Sequence, residues 1–310
     1  MATTRVGWVG TGRMGAAMIR RLARGGEGGG GGVELAVWNR TRAKAEALGV
    51  PVVERVGDLA DRDVVFTTVS GSAELALVVT GPDGLLSGPD AAPGVIVDCS
   101  TVSAEVSAEV RAAAADRGTA FLAAPVSGNA KVVAAGRLGF AVSGPLDVLR
   151  RVEPLLRLIG ESVTYVGEGE AARLVKICHN LLLGVVSQSL AEILVLAEKG
   201  GVSRAALLDF VNHSVLGSPF SRYKTPAFVQ LDYTPTFTPV LLRKDFDLGL
   251  DSARELGVPL PVAALVQQLV QGTIGGGRGA ADFAVLLEQQ AAAAGLELKA
   301  EDVEIDDGLG

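Results

Sequence analysis

The chain has 310 residues, more than one hydrophobic core usually serves, so two domains are expected, each large enough to bury its own core. Its 28 Lys+Arg against 35 Asp+Glu leave a net charge of −7, and no stretch gathers basic residues into a cluster able to neutralise a phosphate backbone, which argues against nucleic acid as a partner. Hydrophobic residues make up 48% of the chain, yet none of its apolar stretches reaches the roughly 18 uninterrupted residues of a membrane span, so a soluble, oligomeric protein with no membrane association is expected.

In chain order, short β-branched runs occur at residues 5–9, 33–38, 63–69, 95–99, 119–123 and 138–142, with Ala/Leu/Arg-rich helical stretches between several of them. This alternation reads as βαβ units on a parallel, doubly wound sheet. From about residue 171 the pattern changes to long Leu/Ala/Val runs of helical length, at 171–200, 204–213 and 239–256. The fold class is therefore α/β: a Rossmann domain over residues 1–168, then an all-α domain over 169–296. Thr238-Pro239 is a good helix start and Gly257 a suitable stop, which puts Arg243, Lys244 and Asp245 on one helix.

The run GGEGGGGG at 25–32 cannot hold a helix cheaply and reads as a flexible insert; the acidic tail, 297–310, is expected to be disordered. Cys99 and Cys178 both lie in apolar runs and read as reduced, buried thiols, with no metal framework among them. With no signal-peptide pattern at the start, a cytoplasmic location is expected.

Residues 6–22, VGWVGTGRMGAAMIRRL, form a strand, a GxGxxG turn and a helix. Gly10 permits the tight turn, Gly12 lets the backbone approach a pyrophosphate, and Gly15 allows helix to pack on strand. Thr11, Arg13 and Met14 lie between them, at a helix N-terminus that faces negative charge. At the end of the second strand stand Asn39, Arg40 and Thr41. An acid there would accept from the ribose 2′-hydroxyl of NAD, and an arginine would pair with the 2′-phosphate of NADP, so NADP is favoured over NAD, with a solvated Arg40 as the alternative.

Across residues 174–186, LVKICHNLLLGVV, the only strongly polar side chains are Lys176, His179 and Asn180, on one helical face that Ser187 extends. A helix this apolar is buried, and a partly desolvated lysine shifts its pKa toward neutrality, where it exchanges protons with a substrate oxygen. Lys176 is the leading general acid/base. Asn180 either binds substrate or holds the lysine, and His179 is open between core and site. The segment APVSGN at 124–129 lies at the carboxyl side of the sheet, where Ser127 and a Gly128 turn have the chemistry to bind a carboxylate, although a plain loop is the better reading of those residues alone.

These motifs together resemble the β-hydroxyacid dehydrogenase family, which includes 3-hydroxyisobutyrate dehydrogenase and the glyoxylate and succinic semialdehyde reductases. VGTGRMGAAM, VWNRT, VDCSTVS, APVSGN, KICHN and RKDFDLGL arrive in family order over nearly the whole chain. The resemblance implies that Thr101 lies beside the cofactor, where Val69 and Ser70 are counted too, and that Ser127, Gly128 and Asn129 bind the substrate carboxylate. It implies Lys176 as the catalytic lysine and Asn180 as a substrate contact. Lys244 would close over the cofactor, with Asp245 beside it as a substrate contact and Phe237 lining the substrate pocket. The resemblance further implies a doubly wound Rossmann domain joined to the all-α domain by a long interdomain helix, in a homodimer or homotetramer acting on small hydroxyacids or aldehyde acids. This chain departs from the family in carrying Asn129 where PVSGG is common, Glu170 and Ala172 where glycines precede the lysine, and His179-Asn180 for an asparagine pair. Imine reductases on this scaffold usually carry Asp or Tyr at the lysine position, and non-catalytic relatives lose the lysine; Lys176 weighs against both alternatives.

Overall fold

The structure is a computed structural model that describes residues 3–26, 32–89 and 91–309. The chain forms two compact units, Met1–Lys176 and Ile177–Gly310. The division falls eight residues beyond the boundary expected at 168, inside a helix that both units share.

The first unit contains β1 (Thr4–Val9), α1 (Arg13–Gly26), β2 (Val33–Trp38), α2 (Arg42–Glu46), β3 (Val64–Thr67), α3 (Ser72–Thr80), β4 (Val95–Asp98) and α4 (Ala104–Asp116). It continues through β5 (Ala120–Ala123), β6 (Val126–Ser127), α5 (Ala130–Ala134), β7 (Gly139–Ser143), α6 (Leu146–Ile159), β8 (Ser162–Gly167) and the first turns of α7 (Ala171–Lys199). The sheet order is β2-β1-β3-β4-β5-β7-β6, with β8 beside β7. Every residue of β3 and β4 is buried, as expected for central strands with helices on both faces. Side chains alternate between two cores: Val6, Trp8, Val64 and Phe66 face one, and Val9 and Val65 the other. Trp8 stacks on Phe66 with ring centroids 4.8 Å apart.

The expected all-parallel sheet is corrected at its far side. β1 to β5 are parallel in order, but β7 runs antiparallel to β5 and β6. The five-residue α5 is too short to carry the chain back along a strand, so β7 returns in the opposite direction. Because β1 has β2 on one side and β3 on the other, the chain reverses its winding there. The crevice outside the carboxyl ends of such strands is the ligand site of open α/β sheets.

The second unit holds the rest of α7 with α8 (Arg204–His213), α9 (Pro219–Val229), α10 (Pro239–Glu255), α11 (Pro261–Thr273) and α12 (Leu286–Ala293), around a core that includes Leu194, Phe228, Phe246 and Leu287. Thr238 caps α10 by accepting from the Leu241 amide, and Gly257 follows the helix at φ +67°. A Cβ at Gly184 would stand 2.3 Å from the Phe246 ring, which is why α7 carries a glycine there.

Three expectations need revision. The acidic tail is not loose: the Glu301 carboxylate accepts from the Arg204 and Ala205 amides at the N-terminus of α8, and its own amide donates to Val229 O. An acid at a helix N-terminus is stabilised by the unpaired amides there, so acidity was a poor guide to disorder. Cys99 is buried, and burial, then the neighbouring Asp98 charge, push its thiol well above the ordinary range; Cys178 is exposed. Finally, α7 is not buried all round, since Leu182 is 63% and Leu196 74% exposed. The length and hydropathy of α7 suffice to cross a membrane, but Arg173 and Asn180 on it are buried among polar partners. The glycine insert falls mostly outside the described residues, at 27–31.

Candidate active site

The turn after β1 is locked by side chains. Trp8 Nε1 donates to Thr68 Oγ1 (2.8 Å), which donates to Gly10 O (2.7 Å). Gly10 has φ +96°, and a Cβ there would lie 2.2 Å from Thr68 O; a Cβ on Gly15 would lie 2.1 Å from Gly10 O. At Gly12 a Cβ would meet nothing within 4 Å. The protein itself therefore requires Gly10 and Gly15, whereas the space before Gly12 is open to a ligand, as close approach by a pyrophosphate needs.

Asn39 is committed to this turn. Its Oδ1 accepts from the Thr11 amide (2.8 Å) and its Nδ2 donates to Thr41 O (2.9 Å), so the side chain expected on the cofactor instead ties the two turns together. Arg40, Thr41 and Arg13 are exposed, while Met14 packs partly against the core. A groove of about 580 Å³ begins at Thr11, Gly12 and Arg13 and continues past Arg20, Arg21 and Lys44. This concentration of positive charge beside a helix N-terminus suits phosphates. The glycine turn fits the pyrophosphate of a dinucleotide, and from it the groove runs along α1.

At the ends of β3 and β4, the Val69 amide donates to Ser100 Oγ (2.9 Å), Ser70 is exposed, and Thr101 is half-buried. Beneath them lies a buried cluster that sequence reading missed. Asp98 Oδ1 accepts from Thr67 Oγ1 and Ser100 Oγ, both at 2.6 Å, and Asp98 Oδ2 pairs with Arg173 Nη2 at 2.6 Å. Asp98 closes the apolar run of β4 and Arg173 lies 75 residues on, in the first turn of α7, so no short spacing linked them.

The segment after β5 is built for a tight approach. Gly128 has φ +132°, and a Cβ there would stand 2.8 Å from Val132 Cγ1. Ser127 is exposed. Asn129 is buried, and its Oδ1 accepts from the Lys131 (2.9 Å) and Val132 (3.1 Å) amides, so it caps α5. The asparagine expected to meet substrate thus has its oxygen already engaged. Lys176, half-buried on α7, donates from Nζ to Val126 O at 2.7 Å. The structure therefore brings the expected lysine to the expected loop.

In the helical unit, Asn180 and Asp245 are 2% and 1% exposed, and Asn180 Nδ2 donates to Asp245 Oδ2. His179 is exposed and its Nδ1 donates to Asn180 Oδ1 (2.9 Å), so it is not a core histidine. Lys244 Nζ lies 3.4 Å from Asp245 Oδ1. Asp245, expected as a substrate contact, instead holds Asn180 and Lys244, because a buried carboxylate must be paired. Phe237 packs edge-on against Phe283, with centroids 5.9 Å apart. Among the described residues, no grouping of three or more His, Cys, Asp or Glu could hold a metal.

Residues 5–167 match the family described as the NAD binding domain of 6-phosphogluconate dehydrogenase, and residues 169–289 the one described as NAD-binding of NADP-dependent 3-hydroxyisobutyrate dehydrogenase. The chain is 32% identical to 2-(hydroxymethyl)glutarate dehydrogenase of Eubacterium barkeri, over 92% of this chain and 94% of that protein. It is 28% identical to the chloroplastic glyoxylate/succinic semialdehyde reductase 2 of Arabidopsis thaliana, over 94% and 81%. Among solved structures, 3-hydroxyisobutyrate dehydrogenase from Salmonella typhimurium superposes with a TM-score of 0.79 at 27% identity, over 92% of this chain and 99% of that one. Glycine turn, lysine-bearing helix and whole-length similarity together place the chain in the 3-hydroxyisobutyrate dehydrogenase family of NAD(P)-dependent oxidoreductases.

Proposed function

We propose that this protein is an NADP-preferring dehydrogenase/reductase that interconverts a small β-hydroxyacid and the corresponding aldehyde acid, with Lys176 as general acid/base. The observation that carries this reading is Lys176 Nζ held on Val126 O, beside Ser127, at the end of the strand that opens the Gly128 turn. An ammonium fixed by a backbone carbonyl is oriented rather than swept through solvent, and a positioned acid contributes about 10²- to 10⁴-fold to a proton-transfer step. In the reductive direction Lys176 gives its proton to the carbonyl oxygen and leaves as the amine; in the oxidative direction it takes the hydroxyl proton. The hydride comes from, or returns to, the bound dinucleotide.

Gly10 through Gly15, the α1 N-terminus, Val69, Ser70 and Thr101 would hold that dinucleotide. Ser127 and the Gly128 turn would take the substrate carboxylate, and Asn180, fixed by Asp245, is assigned to the substrate. Preference for NADP is supported by an exposed Arg40, by the absence of an acid at that strand end, and by the cationic groove. The substrate class is supported by the hydroxyacid and semialdehyde activities for which the relatives are named. A homo-oligomer is part of the proposal, supported by the exposed leucines of α7, and a cytoplasmic location is proposed with it.

The test follows NADPH and NADH oxidation with glyoxylate, succinic semialdehyde, methylmalonate semialdehyde, tartronate semialdehyde and a cyclic imine. Turnover of an aldehyde acid that is lost in Lys176→Ala, with NADPH binding retained, supports the reading. Turnover of the imine alone would replace it with imine reduction, and NADPH binding without any turnover would favour a non-catalytic role.

A further inference from the structure

Arg173 stands in the first turn of α7 and is 2% exposed. Its guanidinium makes three hydrogen bonds and also lies 3.8 Å from Glu170 Oε2. Nη2 donates to Asp98 Oδ2 (2.6 Å), Nη1 to Ser100 O (2.7 Å) and Nε to Ser107 Oγ of α4 (3.1 Å). Asp98 is fully buried, and its other oxygen accepts from Thr67 at the end of β3 and from Ser100 just past β4. Ser100 Oγ in turn accepts from the Val69 amide. One buried cation thus joins the first turn of α7 to the ends of β3 and β4, whose following residues are Val69, Ser70 and Thr101.

A buried ion pair is weak evidence for stability, because desolvating two charges costs about as much as their attraction returns. What the pair does supply is geometry. A guanidinium is a rigid planar fork with fixed donor directions, and it sets the rotation and height of the helix turn that carries it. Lys176 lies three residues on, nearly one turn up the same helix. Its Nζ reaches Val126 O through a flexible stem, so the place of its charge depends on where that turn is held.

We propose that Arg173, acting through Asp98 and Ser100, is the positioning residue that sets Lys176 against the strand-end residues Val69, Ser70 and Thr101. The inference rests on Lys176 as the acid/base. Arg173 touches neither the reacting atoms nor Lys176; its effect passes through the helix turn.

The test is a double-mutant cycle in the full-length protein with Arg173→Lys, which keeps the charge and loses the fork, and Lys176→Ala. The readouts are kcat and KM for the aldehyde acid turned over best, the Kd for NADPH by fluorescence, and Tm. Arg173→Lys is expected to lower kcat by about 10- to 100-fold while leaving the NADPH Kd within about threefold, the scale of a misplaced catalytic group. In the Lys176→Ala background the same substitution should cost nothing further, because the group it positions is gone. An equal loss of kcat in both backgrounds overturns the proposal and leaves Lys176 standing. An unchanged rate in Lys176→Ala removes the acid/base reading, and this inference with it. Should Arg173→Lys fail to fold by its Tm, Arg173→Gln takes its place in the same cycle; a wild-type kcat in either folded variant overturns the proposal.

Discussion

Asn180 donates its amide to Asp245 Oδ2 from a position almost wholly out of solvent, and the second oxygen of Asp245 lies 3.4 Å from Lys244 Nζ. Removing the acceptor strands a buried donor. Asp245→Ala is expected to destabilise the protein by about 1–3 kcal/mol in urea unfolding, the cost of an unsatisfied buried polar group. Asn180→Asp should be worse, since it sets two carboxylates against each other. Wild-type stability in Asp245→Ala would show that the pair contributes nothing.

The three glycines of the first turn separate folding from cofactor binding. Gly15→Ala drives a Cβ to within 2.1 Å of Gly10 O and should lower Tm, with NADPH binding lost as a consequence. Gly12→Ala meets no protein atom within 4 Å, so Tm should stay near wild type while the NADPH Kd rises by at least about tenfold, the effect of a methyl group standing where the pyrophosphate approaches. Calorimetry and fluorescence titration on the two variants check this; an unchanged Kd in Gly12→Ala would argue that the dinucleotide lies elsewhere.

Asn129 is a helix cap, and glycine caps nearly as well as asparagine. Asn129→Ala should cost about 1 kcal/mol of stability and Asn129→Gly only a few tenths. If Asn129 also meets the substrate, Asn129→Gly will change KM for the aldehyde acid while stability hardly moves; if it only caps, KM will stay the same. Urea unfolding and initial rates on both variants distinguish these roles.

Acid lability in the helical unit should report on Asp282. Burial by itself would raise its pKa, but the Lys224 charge and hydrogen bond, with donors from Ala284 and Thr236, outweigh burial and hold the carboxyl below its ordinary 3.8. A carboxyl depressed in the folded state adds stability that is complete above its unfolded value and is lost as pH falls through the folded one. Unfolding midpoints should therefore drop steeply below about pH 4. Asp282→Asn should be less stable near neutrality and should flatten that acid limb.

Much of the first unit was legible because local rules govern it. Residues 33–38 there, and 204–213 in the second unit, form their strand and helix at the expected bounds, since an apolar run after a glycine stretch and a serine-capped helix carry their own signals. The two-residue β6 is too short to show an alternation, and the largely exposed β8 went unseen although Val163 and Tyr165 alternate with Ser162 and Thr164. Within the site, glycine spacing and the lone lysine on an apolar helix pointed to the right places. Asp98 and Arg173 did not stand out, because 75 residues separate them and only folding brings a charge at each end together.

By itself the sequence determined the alternation of strand and helix through β5, the helical second half, the glycine turn, the lysine and the absence of an acid after β2, for these depend on residue type and short spacing. Tertiary structure alone decided that β7 turns back, that Asn39 and Asn129 spend their side chains on turn and cap, that Asp245 serves Asn180, and that Arg173 reaches the strand ends. The reason is physical: a polar side chain removed from water must find a partner, and which partner it finds is settled by packing between distant segments.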